Sequence, residues 1–89
     1  MGKVPSPKYV ELEGEYYHIR FRDPDAFTVI RTPAWASEAA ESISTNAKVR
    51  TGRQRDSDTW VVQSILIPKA VGKRQARSQA QAIIEKIEA

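Results

Sequence analysis

Residues 8–22, KYVELEGEYYHIRFR, alternate apolar and polar side chains on either side of Glu13-Gly14. Alternation with period two marks half-buried strands, and glycine supplies the positive φ of a tight turn. The segment is therefore read as a β-hairpin with Glu13 and Gly14 as its loop, so that Leu12 faces Glu15, Val10 faces Tyr17 and Tyr9 faces His18. Val10, Leu12, Tyr17, Ile19 and Phe21 then share the core face. Tyr9, Glu11, Tyr16, His18, Arg20 and Arg22 share the other.

DPDAF, residues 23–27, has turn chemistry, and TVIR after it reads as a short strand or an irregular connection. A first helix opens at TPAWASEAAESIS, with Thr32 as N-cap and Pro33 at the first helical position. Its apolar stripe is Ala36, Ala39, Ala40 and Ile43, with Trp35 anchoring the first turn. Residues 46–68 read as a second hairpin with its loop at Arg55–Asp58. That register pairs Arg50 with Gln63 and Lys48 with Ile65. It turns Val61, Gln63 and Ile65 outward and Trp60 toward the helices, whereas a loop one residue longer or shorter exchanges the two sets. TWVVQSILI carries apolar residues on both parities, as a central strand does, and Pro68 ends it. A second helix covers 72–88, with Ala76, Ala80, Ile83, Ile84 and Ile87 on one side.

The order β-β-α-β-β-α, with one apolar stripe per helix, predicts an α+β fold. Its core is a four-stranded antiparallel sheet with both helices packed on one face. Residues 1–7, MGKVPSP, are expected to be a flexible lead-in to a single domain over 8–89. They also match the M-G-x-x-x-S acylation pattern, a short and unspecific signal without a second anchor beside it.

Composition adds direction. The chain of 89 residues is 40% hydrophobic and 28% charged, ordinary for a small globular domain. It has no cysteine, which removes disulfides, thiolate metal sites and thiol nucleophiles and fits an intracellular, cytoplasmic protein. No apolar run is long enough to cross a bilayer, so no membrane partner is expected. The net charge of +3 is unevenly spread. Residues 1–45 hold five Lys/Arg and seven Asp/Glu, and residues 46–89 hold nine and four. A positive second half suits an acidic partner.

Three clusters point the same way. On the open sheet face, Tyr16, His18, Arg20 and Arg22 from the first hairpin join Lys48 and Arg50 from the second. Aromatic rings stack on bases while cations follow phosphates. Arg53 and Arg55 extend this toward a hairpin tip. Lys73, Arg74 and Arg77 crowd the start of the second helix while Glu85 and Glu88 sit at its end, both against the helix dipole. Broken local rules are where function is expected. An exposed strand face and a solvated helix would carry such charges with no function at all, and no RNP, KH, zinc or helix-turn-helix signature strengthens the case.

Catalysis is not expected. His18 is the only histidine, and G-x-S-x-G, GxGxxG and Walker A patterns are missing. No metal site, cofactor or small-molecule substrate is implied. The expected function is binding of single-stranded DNA or RNA with little sequence specificity. The alternative is a protein-interaction or homodimerisation module, favoured by Val61, Ile65 and Ile67 if they face water.

Overall fold

The computed structural model describes residues 4–88. Its elements are β1 (Tyr9–Glu13), β2 (Tyr16–Arg20), β3 (Phe27–Arg31), α1 (Ala34–Glu41), β4 (Lys48–Gln54), β5 (Trp60–Pro68) and α2 (Lys73–Glu88). Single 3-10 turns at Pro24–Ala26 and Lys69–Val71 precede β3 and α2. The acylation pattern begins outside the described residues. Of the expected lead-in, Val4 packs against the core.

The fold is α+β with an antiparallel sheet, as expected, but the sheet has five strands in the order β1-β2-β5-β4-β3. The extra strand is β3, which contains the TVIR segment. Hairpin patterns identify strands that pair with their neighbours in sequence, and β3 has no such neighbour. It turns out of a loop in which Asp23 Oδ1 accepts from Asp25 N at 2.9 Å. It then pairs with the outer edge of β4, on the far side of α1 in sequence. Phe27 lies flat against Gly52 of β4. A Cβ built on Gly52 would stand 2.6 Å from the Phe27 ring, so glycine is required for this approach.

The first hairpin turns one residue later than expected. Glu13 pairs with Tyr16, leaving Gly14 and Glu15 as the loop, and Gly14 carries the positive φ of 61°. Leu12 therefore faces Tyr17, and Val10 faces Ile19. The pairing has slipped by two residues, an even number, so every side chain of β1 and β2 keeps its expected face.

The second hairpin has a longer loop and an interruption. Lys48 pairs with Leu66, Val49 with Ile65 and Arg50 with Ser64, but Thr51 pairs with Val62. Gln63 is the bulged residue, and its carbonyl accepts from both Phe21 N and Arg22 N at 2.9 and 3.3 Å. The bulge divides β5 into two phases. Beyond it, Ile65 and Ile67 face the helices and are fully buried, which corrects the expectation that Ile65 looks outward. Before it, Val62 points to the core and Val61 to the open side. Trp60 pairs with Arg53 and points to the helix side.

Both helices cover one face. Ile19, Phe21, Val49, Val62, Ile65 and Ile67 meet Ala36, Ala40, Ala76, Ala80, Ile83 and Ile84 in a single core. Each isoleucine removed from water contributes about 1.5–3 kcal/mol, and the helix alanines let the backbones approach the sheet. α1 begins one residue later than expected, with Pro33 rather than Thr32 at the cap and no side-chain cap bond. Trp35 does not anchor its first turn; it is 58% exposed.

Candidate nucleic-acid interface

Side chains directly opposite one another in a sheet share a face. The pairings across β1, β2, β5 and β4 therefore write out the side away from the helices. One row reads Glu11, His18, Leu66, Lys48. The next reads Tyr9, Arg20, Ser64, Arg50. Tyr16 opposes Pro68 on the same face. Five of the expected platform residues, Tyr16, His18, Arg20, Lys48 and Arg50, are thus brought together.

The floor of this surface is the central strand. Leu66 and Ser64 belong to the open face yet are buried, because longer side chains on β2 and β4 lean over them. Lys48 Nζ lies 5.6 Å from the centre of the Tyr16 ring, reaching across β5 to make a cation–π contact. Strands are spaced about 4.8 Å apart, so Arg20 on β2 and Arg50 on β4 stand roughly 10 Å from each other across the floor. Arg20 Nη1 is 3.6 Å from Glu11 Oε2, an exposed pair that holds the arginine loosely. Among the described residues, Lys48 and Arg50 make no ion pair. Glu11 and Glu13 weaken the field on the β1 side, so the positive end of the platform is β4.

Arg22 is not part of it. β2 ends at Arg20, and the chain then bends onto the Gln63 bulge, so strand alternation no longer governs where Arg22 goes. Its guanidinium donates to both Glu88 carboxylate oxygens at 2.9 Å and to Val62 O at 2.7 Å. Glu88 Oε2 also accepts from Val62 N at 2.7 Å. Glu88, one of the two acids at the negative end of α2, is thereby accounted for: it pairs with Arg22 and satisfies a backbone N–H freed by the bulge. Glu85, which accepts from Gln81 Nε2 on the exposed surface, and the basic start of α2 are not explained by such a pairing.

Arg53 and Arg55 are also directed elsewhere. Arg53 pairs with Trp60 on the helix-side parity, and its Nε donates weakly to Thr28 Oγ1 at 3.4 Å. Arg55 Nε donates to Asp25 O at 2.8 Å, and its backbone N to Ala26 O, which ties the β4–β5 loop to the turn before β3. Lys73, Arg74 and Arg77 are exposed on the helix layer, outside the rows of the platform. Tyr9, on the platform face by its pairing with Arg20, is 64% exposed and had no role assigned from sequence. Its position on alternating strand β1 was the signal.

Among the described residues, no three His, Cys, Asp or Glu side chains are grouped to hold a metal ion, and no helix is long and apolar enough to cross a membrane. No protein-family model, curated protein or solved structure matches this chain.

Proposed function

We propose that the open sheet face binds single-stranded DNA or RNA with little sequence preference. The observation that carries this reading is the placement of Tyr16, His18, Arg20, Lys48 and Arg50 in adjacent rows on the side opposite both helices. Bases would lie on the Tyr16 and His18 rings, each stacked base contributing about 1–3 kcal/mol. Arg20, Lys48 and Arg50 would take the phosphates. No side chain here selects one base edge over another, which is why the binding is expected to tolerate sequence.

Anisotropy of a labelled tetranucleotide, titrated at two salt concentrations, tests the proposal. Three phosphates neutralised on a single strand give a log–log salt slope of about −2, or roughly a 20-fold loss of affinity between 50 and 200 mM salt. No binding at the lower salt would end the reading.

A protein contact is the second reading, and its support has moved. Ile65 and Ile67 are buried and carry nothing outward. Trp35 and Trp60, 58% and 42% exposed, instead line one cleft of about 320 Å³ with Ile87, and Arg31 lies 5.7 Å from the Trp60 ring centre. Tryptophan and arginine are enriched where proteins anchor to one another. Light scattering over a concentration series tests self-association through this cleft, which Trp60→Ser would abolish.

A further inference from the structure

The basic start of α2 is not isolated from the platform. Lys73, Arg74 and Arg77 form one wall of a cleft of about 520 Å³ whose other wall is the chain at Lys8 and Tyr9. Among the described residues, no carboxylate lines this cleft. Lys8 and Tyr9 also line a neighbouring depression of about 320 Å³ that contains Arg20, the Glu88-bound Arg22 and, as its one acid among the described residues, Asp23. Tyr9 and Lys8 therefore stand at the ridge between two concavities, with the platform arginine on one side and three helix cations on the other. Among the described residues, none of Lys8, Lys73, Arg74 and Arg77 is in an ion pair.

From these positions we infer that the nucleic-acid track continues over the β1 edge and ends in the cleft between β1 and α2. This extension rests on the reading of the open face given above. Four cations around one concavity repel each other, with Glu85 in the adjoining cavity beside Arg74 and Arg77 offsetting part of the charge, and they are stabilised by a multiply charged anion. It is the side chains of Lys8, Lys73, Arg74 and Arg77 that make this cleft cationic. What recommends a polymer over a lone phosphate is continuity. Tyr9 presents an exposed ring at the crossing point, where a base can stack while the backbone passes from Arg20 to Lys8 and on to Arg74 and Arg77.

Geometry divides the track into two lengths. From β4 to β1 is three strand spacings, about 14 Å, which four nucleotides span even at the stacked duplex rise of about 3.4 Å each. A tetranucleotide is long enough for the platform alone, whereas a dodecanucleotide reaches the cleft. Four further cations raise the neutralised phosphates from about three to about seven, and the salt slope from about −2 to about −5. Between 50 and 200 mM salt the dodecanucleotide should lose roughly 900-fold in affinity where the tetranucleotide loses roughly 20-fold.

The test compares oligothymidylates of four and twelve nucleotides on the wild-type chain and on a K73Q/R74Q/R77Q variant, whose changes are all at exposed positions. The variant should flatten the dodecanucleotide's slope by about two and leave tetranucleotide affinity as it was. Equal slopes for the two lengths on the wild-type chain would overturn the extension and leave the platform standing. So would a variant that binds the dodecanucleotide as the wild type does. If the variant weakens the dodecanucleotide while Arg50→Gln changes neither ligand, the cleft stands and the platform fails. If neither length binds at low salt, both fall.

Discussion

Breaking the Arg22–Glu88 pair separates what holds the fold from what the open face does. Glu88→Ala removes two charge-assisted acceptors for Arg22 at 2.9 Å and the acceptor for Val62 N at 2.7 Å. A fully buried pair that loses one partner costs about 3–5 kcal/mol. Here the two side chains keep 22% and 15% of their surface in water, which rehydrates part of what is left behind. The loss is therefore about 2–3 kcal/mol, at about 1.5–3 for hydrogen bonds to charged groups. For a domain of this size that lowers Tm by about 10–20 °C. A double-mutant cycle with Arg22→Met and Glu88→Gln isolates the coupling. The exposed Arg20–Glu11 pair, at 3.6 Å, is the internal control and should couple by less than about 1 kcal/mol. Thermal melts of the single and double variants supply both numbers. Coupling at Arg22–Glu88 no larger than at Arg20–Glu11 would refute the assignment of Arg22 to a structural clamp. Arg22→Met should also leave tetranucleotide affinity and its salt slope unchanged, which no platform arginine would do.

Gly52→Ala should lower stability by about 1–3 kcal/mol, because its Cβ would stand 2.6 Å from the Phe27 ring; pairing it with Phe27→Leu should shrink the penalty, as urea denaturation would show. Gly14→Ala meets no atom within 4 Å, yet its φ of 61° should still cost about 1 kcal/mol, read as a lower urea midpoint with the same m-value. Lys48→Gln and Arg50→Gln should each reduce the salt slope for the tetranucleotide by about 0.7, with Tm changed little.

Local patterns in the sequence carried the two hairpins, both helices, the central position of β5 and the side on which Tyr16, His18, Arg20, Lys48 and Arg50 lie. The misplaced turn at Gly14 did no harm, since a slip of two residues preserves faces. What failed depends on partners distant in sequence. β3 is short and pairs with β4 rather than with a hairpin mate, so TVIR, readable as a short strand or an irregular connection, gave no sign that it joins the sheet as a fifth strand. The bulge at Gln63 sets one half of β5 out of phase with the other, which is why Val61 faces outward and Ile65 inward. Arg22 followed alternation only as far as the strand did. Glu88, which looked like a charge misplaced on its helix dipole, is explained by a guanidinium 66 positions away in the chain.

Backbone amide shifts recorded while a tetranucleotide is titrated into the labelled protein test the docking surface most directly. Perturbations should concentrate on Tyr16, His18, Arg20, Lys48, Arg50 and the floor residues Ser64 and Leu66, and should leave Trp35 and the core side of α2 untouched. Shifts confined to the helices or to the Trp35–Trp60 cleft would place the ligand elsewhere and contradict binding on the open sheet.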